Sequence, residues 1–267
     1  MNLLKINSRG IKFIVVFLAI VLSSILVCGI YLRNEDTRLS EIQLSVEQNF
    51  IENKNITVAL NSIYRSTITD YEQLGQSYTS SLIDTNNLEL MCPNDSMIQE
   101  IKNLILKKIR LIESIKESNT LINKALKYNK AYVITIFGEL DIHHDTTLQF
   151  YRKVSRKMVD LSYEIKQGNS LVLNKYKNTL DRLKKVKLDK TLEQDRDQLY
   201  LSGLELYEHT QVMLKNIEKL NNLEEQLNKL YIEKRENIAQ KRHSLKQNST
   251  TIQITILIIL SILIFLI

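Results

Sequence analysis

The chain has very few residues that end helices or make tight turns. Its 267 residues include one proline, Pro93, six glycines and no tryptophan. A globular protein of this length normally contains many more turn-forming residues. Leucine, isoleucine, lysine, glutamate, asparagine and glutamine dominate the remainder. This composition predicts an all-α protein with a small number of long helices.

Cysteine and clustered positive charge are also scarce. Cys28 lies within an apolar run and Cys92 lies far from it, beside Pro93, so we expect no internal disulfide. The 36 basic and 30 acidic residues give a formal net charge of +6, but they alternate along the chain. Nucleic-acid binding requires a concentrated basic face. We therefore expect no nucleic-acid partner.

Catalytic motifs are absent as well. The sequence contains no glycine-rich phosphate loop, nucleophile elbow or HExxH pair. The segment 141–145, Asp-Ile-His-His-Asp, offers metal-ligating side chains, but adjacent residues on one loop rarely converge on one ion. We expect no metal, no cofactor and no enzymatic activity. An enzyme or a transport accessory is the least favoured of three functional classes considered below.

The chain does contain an uninterrupted apolar run at each end. The first extends from Ile11 to Leu32 and carries no charge after Lys12. About 20 apolar residues, at ~1.5 Å each, cross the ~30 Å hydrocarbon core of a bilayer. The second, Ile252 to Ile267, is uncharged and reaches ~24 Å as a helix. We predict two transmembrane helices, at residues 11–33 and 250–267.

Positive charges predict the orientation of these helices. Lys5, Arg9 and Lys12 lie at the start of the first run, and the positive-inside bias keeps them cytoplasmic. Residues 1–10 would form a cytoplasmic tail, and residues 34–249 a periplasmic domain of a two-pass protein in the bacterial inner membrane. A cleaved signal peptide is the alternative, but its apolar region is typically ~7–15 residues and ends at a small-x-small site.

Apolar residues recur every seven positions and predict how far the helices extend. Ile25, Leu32, Leu39 and Val46 carry the first apolar run outward, and a similar stripe leads from Met213 into the second. Helices this long predict an elongated rod of two helical bundles stacked end to end. Further helices are predicted at 56–82, 96–136, 146–187 and from 192 onward. A loop at 84–95 separates the first two, and Ser96 with Gln99 forms a capping box at the start of the second. A break is predicted at 138–145, and an interruption of the third helix at 168–170.

One polar residue interrupts the apolar stripe of the helix at 96–136. Asn119 occupies the position between Ile115 and Ile122 that should face the core. A buried asparagine is costly unless its amide is hydrogen-bonded. It either fixes the register of neighbouring helices, as single core asparagines do in coiled coils, or lines a polar pocket for a small ligand.

This segment resembles the DAHL (double all-helical ligand-binding) sensor domains of bacterial signal-transduction proteins. Their pattern is Ile-Glu-x-Phe-Lys-Ser-x-Asn-Ala-x-Leu-x-Asn-Ser-Leu-x-Tyr. It is matched by Ile112, Glu113, Lys116, Asn119, Leu126 and Tyr128, whereas Ile115 replaces the phenylalanine and Lys124-Ala125 replace Asn-Ser. The resemblance covers about residues 37–260 in layout.

The resemblance, together with the position of Asn119, implies a ligand-binding site at three residues. Lys116 would pair with an anionic group, Asn119 would supply a donor and an acceptor, and Tyr128 a ring wall with a hydroxyl. Family members normally continue into a cytoplasmic histidine kinase or cyclic-dinucleotide enzyme, and we expect this chain to lack that output module. It would then be a sensor remnant, one half of a split receptor, or a membrane partner of a separate signalling protein of that kind. Such receptors signal as dimers, so a homodimer is expected.

The favoured function is therefore a membrane-anchored extracytoplasmic sensor that binds an unknown small molecule. The alternative is a structural coiled-coil tether or scaffold of an envelope complex. The two differ in their core, because a ligand site needs several convergent polar groups whereas a scaffold needs only an apolar seam.

Overall fold

The computed structural model describes residues 8–65, 71–139, 145–166 and 170–266. These residues contain six α-helices and no strand, which confirms the all-α prediction. In chain order the helices are α1 (Ser8–Arg65), α2 (Glu72–Met91), α3 (Ser96–Glu139), α4 (Thr146–Lys166), α5 (Ser170–Lys184) and α6 (Lys190–Leu266).

The predicted helix at 56–82 falls in two helices, and only residues 92–95 of the predicted loop at 84–95 lie outside a helix. α1 continues to Arg65, and α2 extends to Met91. The polar residues around position 84 suggest a loop, but Ser81, Thr85 and Leu88 recur at helical spacing and are all buried. Tertiary packing of this face sustains the helix against weak local propensity.

The start of α3 is also capped differently from the prediction. Asp95, not Ser96, is the capping residue, because its Oδ1 accepts hydrogen bonds from the backbone N–H groups of Met97 (3.1 Å) and Ile98 (3.2 Å). A carboxylate at this position satisfies two of the free N–H groups that every helix start presents.

The other predicted breaks fall beside or within residues that are not described. α3 extends to Glu139, and the described chain resumes at Asp145. Residues 167–169, at the predicted interruption, also lie outside the described residues. α5 ends at Lys184, three residues before the predicted end of that helical segment, and α6 begins at Lys190.

Two hydrophobic cores lie along the same long helices. The lower core, nearer the apolar ends, contains residues of α1, α2, α3 and α6, among them Val46, Leu88, Ile105 and Tyr231. The upper core contains the far end of α1, the start of α2, the second half of α3, both α4 and α5, and the first part of α6. α3 and α6 pass through both cores. These helices therefore connect the two packing units without a linker.

Lys108 lies on α3 between the two cores and is completely buried. Its Nζ donates to the backbone oxygen and the Oδ1 of Asn53 (both 2.8 Å), to Thr57 Oγ1 (2.9 Å) and to the Glu224 carboxylate. Burial lowers the pKa of the ammonium, and the Glu224 carboxylate opposes that effect. This single charge links α1, α3 and α6.

A second polar layer joins α1 to α2 and α6 inside the lower core. Asn49 Nδ2 donates to the Ser81 carbonyl (3.1 Å) and to Thr85 Oγ1 (2.7 Å), and its Oδ1 accepts from the Tyr231 hydroxyl. Burial raises the pKa of Tyr231, which keeps the phenol protonated and able to donate. Both buried layers restrict the relative heights of the helices.

One helical stretch among the described residues is long and apolar enough to cross a membrane. It lies within Phe13–Leu60, where an 18-residue window has a mean hydropathy of 3.0 and no buried residue. The same criteria of length and composition identify no second span among the described residues, although α6 remains helical to Leu266.

We predict that Lys108→Met destabilises the bundle more than an ordinary surface change. The substitution leaves the Glu224 carboxylate and the Asn53 oxygens without their cation, and removing one partner of a buried pair typically costs about 3 kcal/mol of unfolding free energy. Denaturant unfolding followed by circular dichroism measures this loss.

The double variant Lys108→Met/Glu224→Met should recover most of the loss, because no unpaired charge remains. Lys229→Met is the matched control, since Lys229 forms an exposed ion pair with Glu225 at 2.7 Å. An exposed pair contributes less than about 1 kcal/mol. Equal stability of Lys108→Met and the parent would contradict the assigned role.

Candidate functional site

Asn119 lies in the core, as its position in the apolar stripe predicts. Its side chain is 1% exposed and flanked along α3 by the buried Ile115 and Ile122. The amide Nδ2 donates to the hydroxyl of Tyr71 at 3.1 Å, whereas Oδ1 is buried without a hydrogen-bond partner. A buried carbonyl oxygen without a partner costs about 1–3 kcal/mol. The site thus contains an acceptor that a ligand or water could satisfy.

Tyr71, just before α2, connects Asn119 to Lys116. Its hydroxyl donates to the Lys116 carbonyl at 3.5 Å while accepting from the Asn119 amide. The Lys116 ammonium lies 5.1 Å from the centroid of the Tyr71 ring, a cation–π distance. These contacts place the cation at the edge of the buried amide group.

The Lys116 ammonium also contacts an acidic neighbour. Its Nζ lies 3.4 Å from Glu113 Oε2, and Glu113 Oε1 accepts a hydrogen bond from the Tyr78 hydroxyl at 3.1 Å. Burial and the hydrogen bond to Glu113 both raise the pKa of Tyr78. An anionic ligand at Lys116 would compete with Glu113 for the ammonium, because both groups pair with the same charge.

Tyr128 does not join this group. It lies 12 residues beyond Lys116 on α3, which corresponds to ~18 Å along the helix axis. Its side chain is 41% exposed, donates to Gln198 Oε1 at 3.3 Å and stacks on Tyr132 with ring centroids 5.3 Å apart. The structure therefore brings Lys116 and Asn119 together through Tyr71 and leaves Tyr128 apart.

Tyr128 instead lines a groove between α3 and α6. The groove has a volume of about 340 Å³, and its walls combine Leu121, Ala125 and Leu201 with the polar side chains of Gln198 and His209. Its volume lies at the lower end of the range of typical small-molecule sites. The groove is a second place at which a ligand could contact α3 and α6 simultaneously.

The upper core contains further buried polar atoms without partners. Asn129, on α3 next to Tyr128, is completely buried, and neither its Oδ1 nor its Nδ2 has a hydrogen-bond partner. On α4, one turn apart, the Tyr151 hydroxyl and Ser155 Oγ are also buried, and neither has a partner beyond the other. Burial raises the pKa of Tyr151. Native cores rarely leave so many polar atoms unpaired without bound water or a ligand.

Tyr132 links this part of the core to the start of α6. Its hydroxyl donates to Asp195 Oδ1 at 2.6 Å. Burial and the neighbouring Asp195 carboxylate raise the pKa of Tyr132.

Sequence reasoning missed Tyr71, Asn129 and Tyr132. Two sequence signals could have identified Tyr71 and Asn129. Tyr71 precedes Tyr78 by seven residues, and Asn129 follows the core residue Leu126 by three.

No group of three metal-ligating side chains occurs within the described residues. Of the segment 141–145, only Asp145 is described. Its Oδ1 caps α4 by accepting from the backbone N–H groups of Thr147 (2.7 Å) and Leu148 (3.1 Å).

Comparison with known proteins gives no match to a family model, to a curated protein or to a solved structure.

We predict that Asn119→Leu keeps the fold but removes ligand response. Leucine eliminates the unpartnered Oδ1 and loses one hydrogen bond to Tyr71, so the two effects oppose each other and the melting temperature should change by less than about 5 °C. A thermal-shift screen of amino acids and small organic acids on the full chain is the measurement. Any compound that stabilises the parent should fail to stabilise the variant.

Asn216→Leu is the matched control for this experiment. Asn216 is also a buried helix–helix asparagine, and its Nδ2 donates to Ser114 Oγ at 2.9 Å. It should retain the ligand response. A compound that stabilises Asn119→Leu as strongly as the parent would contradict the placement of the site at Asn119.

Proposed function

We propose that this chain is a membrane-anchored extracytoplasmic sensory domain that binds a small molecule for a bacterial signal-transduction system. The observation that carries the proposal is the buried, unpartnered amide of Asn129, together with the free Oδ1 of Asn119, on one helix of the upper core. A structural tether needs only an apolar seam, and such polar atoms would weaken it. A ligand that supplied their hydrogen-bond partners would stabilise the bundle.

Transmission to the membrane follows from α1 and α6. Each is a single helix that runs from an apolar terminal segment into the cores. A Cβ added at Gly29 would lie 4.0 Å from Ile252 Cγ2, so the two apolar segments approach each other where they leave the lower core. A ligand that favours one packing of the upper core would move these helices by ~1–2 Å, as in other signalling bundles.

A polar clamp holds the two helices together beyond the apolar segments. Arg242 Nε lies 2.9 Å from Asp36 Oδ1, and its Nη1 donates to Gln43 Oε1 at 3.0 Å. The hydrogen bond from Arg242 lowers the pKa of Asp36 and keeps the carboxylate ionised. A displacement of α6 would therefore be passed to α1 at this clamp.

In this proposal, residues 34–249 lie in the periplasm as an elongated rod between two transmembrane helices, 11–33 and 250–267. This domain has the DAHL-type sensor architecture, a separate histidine kinase or cyclic-dinucleotide enzyme is its partner, and its role is binding instead of catalysis. Lys5, Arg9 and Lys12 support the orientation through the positive-inside bias.

We predict that Lys229 faces the periplasm and Ser8 the cytoplasm. Lys229→Cys, in a Cys28→Ser/Cys92→Ser background, provides an exposed thiol on α6, because the native lysine side chain is 73% exposed. A membrane-impermeant maleimide should label it in cells whose outer membrane alone is permeabilised. Ser8→Cys is the matched control and should react only after the inner membrane is opened.

The native Cys92 is a poorer reporter, because burial raises its pKa and reduces the reactive thiolate. The reverse pattern, with Ser8→Cys labelled first, would contradict the proposed orientation. Labelling of both sites only after inner-membrane lysis would contradict a periplasmic location and, with it, the sensory role outside the cytoplasm.

A further inference from the structure

We propose that the outward surface of α1 and α2 is the interface with a second copy of this chain. We name it the outer hairpin face and define it by Leu44, Ile51 and Val58 on α1 and Ile83 and Leu90 on α2. The inference rests on the membrane anchoring proposed above and identifies the surface through which two sensors associate.

All five side chains are large, apolar and more than half exposed. Their exposed fractions are 67% for Leu44, 55% for Ile51, 68% for Val58, 55% for Ile83 and 80% for Leu90. Within each helix they recur every seven residues and lie opposite the buried stripe that contains Val46 on α1 and Leu88 on α2. A repeat of this period is typical of a surface that packs against another helix.

The residues between them complete a second heptad seam that carries no charge over five positions of each helix and is bounded by the exposed Glu41 on α1 and Glu72 on α2. Alternating steps of three and four residues give Leu44-Gln48-Ile51-Asn55-Val58 on α1 and Gln76-Thr79-Ile83-Asn86-Leu90 on α2, and all ten are exposed. A quarter of the chain is charged, and charged residues normally occupy the solvent side of a helix. Uncharged exposed seams on two adjacent helices indicate that this side is covered.

The two seams are level with each other. Asn49 bonds to Ser81 and Thr85 across the antiparallel pair, which places it at the height of Ile83. At ~1.5 Å per residue, Ile51 and Ile83 then differ in height by ~3 Å, and Leu44 and Leu90 by a similar distance. Each helix contributes one residue to each of two layers.

A second copy completes these layers. About a two-fold axis parallel to the helices, Ile51 and Ile83 would meet their own equivalents in one four-residue layer, and Leu44 and Leu90 in the next. Anchoring of α1 holds copies in the parallel orientation that this axis requires. Outside the apolar terminal segments, exposed apolar residues on α3, α4, α5 and α6 form no comparable pair of level seams, as Ile134 on α3 and Ile232 on α6 illustrate.

Five side chains per copy make a small interface, so the association depends on the membrane. Confinement of two copies in one bilayer raises their effective concentration, as a short linker does for tethered modules. The dimer should therefore form in membranes at concentrations at which the detached bundle stays monomeric.

Cross-linking of single-cysteine variants in isolated membranes tests the interface. In the Cys28→Ser/Cys92→Ser background, a short bismaleimide should convert Ile51→Cys into a covalent dimer. Lys229→Cys is the control, since it lies on α6 near the height of Asn49, to which Tyr231 is bonded. Because one layer brings the two Ile51 positions together, its dimer yield should exceed that of the control about tenfold.

A second experiment adds positive charge to the outer hairpin face. Leu44→Lys/Leu90→Lys should reduce the Ile51→Cys dimer about tenfold through like-charge repulsion, and these exposed positions should leave the fold intact. Val212→Lys/Ile232→Lys, at exposed apolar positions of α6, should leave the yield unchanged. Equal cross-linking at Ile51→Cys and Lys229→Cys, or no effect of the Leu44→Lys/Leu90→Lys change, would overturn the interface. Neither result would alter the maleimide topology, so failure of the interface and failure of the proposed function remain distinguishable.

Discussion

A buried ammonium must find acceptors on the helices around it, and Lys108 imposes this requirement on the whole bundle. Its partners come from α1 and α6, at Asn53, Thr57 and Glu224. Sliding either helix by one residue would move these oxygens by ~1.5 Å and leave a charge unpaired in the interior. Helices α1, α3 and α6 therefore shift together at this height, so the ~1–2 Å displacement proposed above moves the three helices as a group and does not slide one past another. The Asn49 layer adds the same restriction for α2.

This constraint determines how the proposed sensor would transmit a change in packing from the upper core to the membrane. A change in the upper core cannot be absorbed between the cores, because α3 and α6 pass through both and Lys108 fixes their heights. The change continues to the Arg242–Asp36 clamp and then to the apolar segments. At the outer hairpin face, that movement would change how two copies pack against each other, since α1 belongs both to the clamp and to the interface.

Helices with a regular apolar repeat could be predicted from the sequence. Helix ends and buried polar residues that depend on contacts between distant segments could not. Leu39 and Val46 are buried as their seven-residue spacing predicts, and Asn119 faces the core. The start of α2 and the burial of Lys108 could not be predicted in this way. A lysine in a helix is normally solvated, and its partners lie 55 and 116 residues away. Tyr71, which joins Asn119 to Lys116, was missed for the same reason.

The central claim is that α1 and α6 remain continuous helices from the apolar segments into the cores. Hydrogen exchange of the full chain in lipid nanodiscs, followed across residues 28–46 and 238–256, tests it most directly. We expect amides on both sides of the Arg242–Asp36 clamp to exchange slowly and without a gap in protection, because each is hydrogen-bonded within one helix. Exchange at the rate of an unfolded chain in either segment would contradict the account, since a broken helix could not carry a displacement to the membrane.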